Sequence, residues 1–154
     1  MASAAEVHES ICGKLGLKPI TGQNVLFYYA PIQGVLSYTA LSINVMNPSL
    51  ILRLFPKRDI TNILLLNTLL GSGLYLYNRP HLKSATKQQR VLYSIFGAVS
   101  FSMGSVLIWA ILRSLVPQNV PLCTLCGVGT GLALIKLGSS YVEHVDSLAK
   151  AAKP

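Results

Sequence analysis

Charge is scarce in this sequence, and acidic charge is the scarcest. Only 12% of the 154 residues are charged, and 5 Asp and Glu stand against 13 Lys and Arg, a formal net charge of +8. A soluble domain carries about 25% charged residues. The uncharged residues here are grouped into long apolar runs, which a soluble core would interrupt with polar positions. The composition therefore excludes an ordinary soluble domain and predicts an integral membrane protein.

Catalytic constellations are missing as well. No acid lies at the centre of an apolar run, where proton-coupled and cation transporters usually place an ionisable group: the acids are Glu6, Glu9, Asp59, Glu143 and Asp146. The three histidines lack a mutual spacing suited to catalysis or metal binding, and we interpret them as solvated surface residues: His8, His81 and His144. The sequence therefore predicts no enzyme, no cofactor and no metal, and it argues against transport.

Cysteine is rare and odd in number, so no disulfide framework is indicated. An N-glycosylation acceptor is absent because Pro48 occupies its middle position, and the N-terminus lacks a secretory signal. These absences favour an intracellular organelle membrane. Cys123 and Cys126 have the two-residue spacing of redox and metal sites, but neither a βαβ context nor further ligands accompany them. We interpret both as small packing residues.

Four apolar segments approach or meet the 17–25 residues of a transmembrane helix: 25–46, 60–77, 91–116 and 121–137. They predict an all-α polytopic membrane protein, a bundle of four transmembrane helices. Three parts of the chain are distinguished: an amphipathic or flexible segment 1–23, the bundle 24–138 and a polar tail 139–154. Pro31, Gly34 and Asn44 interrupt the first segment, so the alternative is three spans with a re-entrant first segment.

A possible duplication also emerges from the sequence. Thr68–Gly73 and Thr124–Gly129 share the pattern Thr-Leu-x-Gly-x-Gly, and each follows an Ile-Leu-Arg sequence and a proline. Two spans in each unit would preserve orientation. The bundle would then consist of two parallel helical hairpins, residues 24–77 and 91–138.

Small residues recur at four-residue spacing in the third and fourth segments. Gly-x-Gly clusters occur in phosphate-binding loops, but these lack the strand-turn-helix context of such loops. In a bilayer, small residues at this spacing let two helix backbones approach closely. We therefore predict three helix-packing pairs: Ser100 with Gly104, Gly127 with Gly131, and Gly129 with Ala133.

The connection 78–90 carries four basic residues and no acid: Arg79, Lys83, Lys87 and Arg90. Without an aromatic and basic platform, a nucleic-acid partner is not predicted, and we assign these cations to lipid headgroups and topology. In a four-span arrangement the side that holds both termini carries nine Lys and Arg: Lys14, Lys18, Arg79, Lys83, Lys87, Arg90, Lys136, Lys150 and Lys153. The other side carries four: Arg53, Lys57, Arg58 and Arg113. This bias places both termini in the cytosol, or in the matrix of a mitochondrion.

In general composition the chain resembles the small, basic, acid-poor accessory and assembly proteins of the mitochondrial inner membrane. The first hypothesis is a non-enzymatic subunit or assembly factor of a larger complex in that membrane, with the lipid bilayer and other membrane subunits as partners. The second is a small transporter or channel acting as a homo-oligomer. A lipid-modifying or redox enzyme would depend on the cysteine pair alone. The alternative location is the endoplasmic reticulum or another organelle membrane, with both termini cytosolic.

Overall fold

A computed structural model describes residues 21–54, 60–117 and 119–152. These residues are 91% helical and contain no strand, which confirms the all-α prediction. The predicted segment 1–23 falls outside them apart from its last three residues. In chain order the elements are α1 (Gly22–Asn24), a π-helical turn (Val25–Tyr29), α2 (Ala30–Met46), α3 (Pro48–Leu54), α4 (Thr61–Tyr77), a 3₁₀ helix (Pro80–Ser84), α5 (Lys87–Leu115) and α6 (Val120–Ala151).

The first apolar segment is helical throughout, in spite of Pro31 and Gly34. The amide of Ala30 bonds to the carbonyl of Val25 and closes the π turn. This wide turn lies where Pro31 has no N–H to donate and its ring would clash with the carbonyl of Phe27 in a regular helix. The helix ends at Met46, because a residue that precedes proline avoids helical geometry, and Asn47 has φ −143° and ψ 73°.

Helices α2 and α4 pack antiparallel along their whole length. At one end the rings of Phe27 and Tyr77 stack with centroids 6.4 Å apart. At the other end Asn44 Nδ2 donates to Thr61 Oγ1 over 2.6 Å. Helix α5 packs against α4 and α2, and α6 packs mainly against α2. The first segment therefore runs from one end of the bundle to the other.

The interior of the bundle combines a few large side chains, Tyr38, Leu41, Met46 and Trp109, with many small and hydroxyl-bearing ones, whereas its outside is large and apolar. Helix α5 buries one face at spacings of three or four residues: Ser94, Ala98, Ser102, Ser105 and Trp109. Its opposite side exposes Phe96 at 73% and Leu115 at 75% of their surface. A helix of a soluble protein has the reverse arrangement, with its large apolar residues buried.

Among the described residues, two helices are long and apolar enough to cross a membrane. Helices α5 and α6 have 29 and 32 residues, and at about 1.5 Å per residue each exceeds the ~30 Å of a hydrocarbon core. Only 22% and 17% of their most apolar windows are buried, whereas a soluble core helix is mostly buried. Helices α2 and α4 have 17 residues each, about 25 Å, and are shorter than that core.

Helix boundaries differ from the predicted spans where polar residues continue a helix. Helix α5 begins at Lys87, one turn before position 91, because Thr86 and Gln89 form a capping box. Helix α6 passes position 137 without a break and ends at Ala151. The residues predicted as a polar tail thus form the last part of α6 through Ala151.

The two predicted hairpins pack differently. Gly71 and Gly127 are equivalent in the repeated pattern, and both face α2. Gly71 meets the helix of its own hairpin, whereas Gly127 meets α2 across the bundle rather than its own partner α5. The duplication stays a prediction from the sequence pattern.

Candidate functional site

The closest helix crossing joins α2 and α4 through two glycines. A Cβ atom added at Gly34 would lie 2.7 Å from the Cα atom of Gly71. One added at Gly71 would lie 2.6 Å from the Cα atom of Gly34 and 2.9 Å from the carbonyl oxygen of Ala30. Only glycine permits this backbone-to-backbone contact. Sequence reasoning missed the pair, because it interpreted Gly34 as an interruption of the helix.

A second crossing joins α6 to α2 through the predicted pair Gly127 and Gly131. A Cβ atom at Gly127 would lie 3.0 Å from the carbonyl oxygen of Ser42 and 3.1 Å from Cγ of Met46. At Gly131 the nearest atom would be Oγ of Ser42, at 3.4 Å, and the Trp109 ring lies at 3.5 Å. Both glycines are buried. The structure therefore brings this pair onto α2.

The other two predicted pairs lie on the outside of the bundle. A Cβ atom at Gly104 or Gly129 would meet no atom within 4 Å, and both residues are exposed. Their predicted partners, Ser100 and Ala133, are exposed too. These four residues make no close packing contact within the described chain. Their assignment as helix-packing residues stays a prediction, and it refers to contacts with another helix.

Substitution of Gly127 by leucine is expected to disrupt the fold, whereas the same change at Gly129 is expected to leave it intact. A leucine at position 127 would enter the backbone of α2 at Ser42, and overpacking typically costs about 1–3 kcal/mol or more. A leucine at position 129 meets open space. Thermal unfolding of both purified variants in detergent measures the difference. Equal melting temperatures would contradict this packing.

A short polar network lies inside the bundle. The hydroxyl of Tyr38 donates to Oγ of Ser105 over 2.7 Å, and Ser105 donates to the carbonyl oxygen of Phe101 over 2.7 Å. The Tyr38 ring stacks on Phe101, with centroids 5.3 Å apart, and lies 4.9 Å from the Trp109 ring. Buried hydrogen bonds of this kind fix the relative rotation of the two helices that they join. The network joins α2 to α5.

The predicted headgroup residue Arg79 is part of a buried ionic cluster. The carboxylate of Asp146 accepts from Nη1 of Arg79 over 3.3 Å, from the backbone N–H of His81 over 3.0 Å, and lies 2.6 Å from Nδ1 of His81. The Arg79 guanidinium also lies 4.1 Å from the centroid of the Tyr75 ring. The side chain of Asp146 is 8% exposed and that of Arg79 is 20% exposed. This cluster ties the 3₁₀ helix to the far part of α6.

The other three predicted cations differ in their surroundings. Nε of Arg90 donates to the carbonyl oxygen of Tyr77 over 2.6 Å. The guanidinium of Arg90 also lies 3.9 Å from the centroid of the Tyr77 ring. Arg90 thereby caps the C-terminal end of α4. Lys83 and Lys87 are exposed, and both stand at the same end of the bundle as Arg79.

Asp146 lies beyond the apolar segment 121–137, at the polar end of α6. Burial raises its pKa, but the hydrogen bonds from the His81 side chain and backbone, together with the electrostatic interactions with His81 and Arg79, outweigh that effect. The pKa of Asp146 is therefore lower than usual, and the ionised carboxylate is the form that holds the cluster together.

Sequence reasoning missed the roles of Asp146 and His81. It interpreted His81 as a solvated surface residue and included Asp146 only in the polar tail, and the two are 65 residues apart in the chain. Cys123 is buried in the core, and its thiol donates to the carbonyl oxygen of Pro117 over 3.5 Å, while Cys126 is half-buried. Within residues 21–54, 60–117 and 119–152 no three His, Cys, Asp or Glu side chains group as metal ligands.

Comparison with protein-family models, with curated proteins and with solved structures finds no match to this chain. Its function is therefore argued from the geometry and chemistry of its own residues.

Proposed function

We propose that this chain is a non-enzymatic integral membrane protein, a subunit or assembly factor that packs its helices against a larger complex. The observation that carries the proposal is the outer surface of α5 and α6. Large apolar side chains cover it, and Gly104 and Gly129 leave open positions in it. The contacts inside the chain already use Gly127 and Gly131. Small residues left open on an apolar helix are suited to a second helix that approaches from outside.

The inverted distribution of polarity supports a bilayer as the surroundings. Lipid tails are as apolar as leucine, so large apolar residues face outward without penalty and small or hydrogen-bonding residues hold the helices together. At one end of the bundle Tyr75 and Tyr77 lie beneath Arg79 and Arg90. This pairing of aromatic rings with cations is typical of the interface between hydrocarbon and headgroups.

We further propose four spans with both termini at the basic end. The continuous helical stretch from Gly22 to Met46 and the antiparallel α4 support the first two spans. The excess of Lys and Arg directs that end to the matrix if the membrane is the mitochondrial inner membrane. The assignment to the mitochondrion rests on the basic, acid-poor composition alone. In the endoplasmic reticulum the same end would be cytosolic, and protease protection of terminal tags in purified organelles distinguishes the two.

The proposed role predicts that Gly129→Leu and Ala133→Leu lower the amount of this chain in a larger complex about tenfold, which corresponds to ~1.4 kcal/mol of association free energy. Both positions are exposed, so the bulk would obstruct a partner helix rather than the fold. The measurement is gentle detergent extraction followed by native-gel separation and mass spectrometry of each band. Ser140→Leu is the control, because it introduces a leucine at an exposed position of the same helix that lies about 16 Å further along its axis than Gly129.

Two results would overturn this role. In the first, the wild-type chain migrates only as a monomer or small homo-oligomer, which favours the transporter or channel alternative and calls for flux assays in liposomes. In the second, Gly129→Leu and Ser140→Leu both assemble like the wild type, which removes the outer face of α6 as the docking surface.

A further inference from the structure

A cavity of about 340 Å³ lies where the four long helices meet. Each of the four helices contributes a glycine to its wall: Gly34 from α2, Gly71 from α4, Gly97 from α5 and Gly138 from α6. Ligand pockets range over about 300–1,000 Å³, so this volume is at the small end. The cavity suits one slender chain rather than a bulky molecule.

The wall of this cavity offers little to a polar solute. Four of its hydroxyl groups are already donated to protein acceptors: Thr68 to the carbonyl oxygen of Leu64, Ser72 to that of Thr68, Ser139 to that of Lys136, and Tyr38 to Ser105. The remaining lining is dominated by aliphatic and aromatic groups, among them Val35, Phe101 and Val142. An apolar cavity with committed hydroxyls favours a hydrocarbon chain over an ion or a sugar.

Positive charge borders one side of the cavity. Tyr75 lines the wall, and the guanidinium of Arg79 lies 4.1 Å above the centroid of its ring. Nε of Arg79 is buried and has no hydrogen-bond partner within the described residues. Lys83 stands exposed in the adjoining 3₁₀ helix. An anionic headgroup placed there would meet these cations, while its tail follows the apolar wall.

We propose that this cavity binds one acyl chain of an anionic phospholipid, whose headgroup contacts Arg79. The inference rests on the proposed membrane location, but it does not depend on the proposed docking surface around Gly129. Bound lipid would fill the cavity between the four helices and would connect the bundle to the ionic cluster of Arg79 and Asp146.

The test is lipid retention by the full chain. The protein is reconstituted in vesicles of phosphatidylcholine with phosphatidylglycerol and extracted in mild detergent. Native mass spectrometry then measures the mass of the chain with any lipid that it retains. One retained phosphatidylglycerol per chain is expected. Val142→Trp is expected to lower that retention about tenfold by filling the cavity. Leu137→Trp, which is 67% exposed on the same helix and does not line the cavity, is expected to retain the lipid.

A second variant protects the test against misfolding. Val35→Phe fills the cavity from α2. Loss of lipid from both Val35→Phe and Val142→Trp, each with the circular dichroism of the wild type, supports occupancy of the cavity.

The headgroup contact is tested separately. Arg79→Gln is expected to remove the preference for phosphatidylglycerol over phosphatidylcholine, whereas Lys87→Gln is expected to keep it. Equal retention by Val142→Trp and Leu137→Trp would overturn the site. Retention of added palmitate in place of phosphatidylglycerol would overturn the phospholipid as its occupant.

The native-gel experiment separates this proposal from the proposed function. If Val142→Trp loses lipid and still enters the large complex, the cavity is established independently of assembly. If the wild-type chain retains lipid but never enters a larger complex, the subunit role fails and the lipid site stands.

Discussion

Gly71→Ala is expected to destabilise the bundle by about 2–3 kcal/mol, the upper part of the range for inserting a methyl group into a packed interior. The new Cβ atom would lie 2.6 Å from the Cα atom of Gly34 and 2.9 Å from the carbonyl oxygen of Ala30. Backbone atoms cannot rotate aside as a side chain can. Helices α2 and α4 would have to separate at the middle of their longest interface, and the contacts at both ends would weaken with them.

Gly73→Ala is the matched control for that prediction. It lies two residues along the same helix, and its Cβ atom would meet only the Cβ atom of Ala98, at an ordinary 3.8 Å. Both changes gain the helix propensity of alanine over glycine, about 1 kcal/mol, so the control is expected to be neutral or stabilising. The difference between the two variants isolates the steric effect.

Denaturation in mixed micelles, followed by tryptophan fluorescence, measures both variants. The chain has one tryptophan, and Trp109 is fully buried between the helices, so its emission reports loss of packing. Similar midpoints for the two alanine variants would show that α2 and α4 do not meet at Gly34 and Gly71.

These glycines illustrate how much of the fold could be predicted from the sequence. Hydropathy located the helical segments to within about a turn, except for the end of α6, because long apolar runs persist whatever their partners are. The pair Gly127 and Gly131 could be selected because its four-residue spacing is a local pattern. Gly34 and Gly71 lie on different helices, and only the crossing of α2 and α4 reveals that they meet. In the sequence alone Gly34 is equally compatible with a break.

The end of α6 shows a second limit of sequence reasoning. Hydropathy falls after Lys136, and this fall identifies where apolar surroundings would end, not where a helix ends. The residues that follow keep helix-forming composition, and α6 continues to Ala151. Its extension carries Asp146 to a position beside the loop after α4. No local pattern could have found this contact, because its partners are 65 to 67 residues away.

The same extension gives Asp146 a structural role that can be measured. Asp146→Asn is expected to destabilise the fold at neutral pH by about 2–3 kcal/mol. Breaking a buried ion pair costs about 3–5 kcal/mol, because the remaining charge is left unpaired. The expected effect is smaller here for two reasons: Arg79 keeps a fifth of its side chain exposed, and an asparagine oxygen still accepts from the N–H of His81. Glu143→Gln removes an exposed acid from the same helix and is expected to change stability by less than about 0.5 kcal/mol.

The sign of the pH dependence follows from the lowered pKa of Asp146. A carboxyl with a lower pKa in the folded state than in the unfolded state stabilises the fold above its ordinary pKa of about 3.9, and that stabilisation is lost as the pH falls through the folded value. Arg79 and His81 face this carboxylate from the loop, and Glu143 and Lys150 lie exposed one turn away on its own helix. The difference in stability between the wild type and Asp146→Asn should therefore narrow below about pH 4.

Hydrogen exchange at the His81 amide distinguishes loss of the contact between Asp146 and His81 from a general loss of stability. That N–H donates to Asp146 over 3.0 Å, so Asp146→Ala should speed its exchange by a larger factor than that of amides at the centre of α5, whose exchange rises only as far as the global stability falls. Uniformly faster exchange along the chain would mean that Asp146 supports the fold as a whole. Unchanged exchange at His81 would contradict the contact between the 3₁₀ helix and α6. Local acceleration would identify Asp146 as the residue that holds the basic connection, and Arg79 within it, against the end of the bundle.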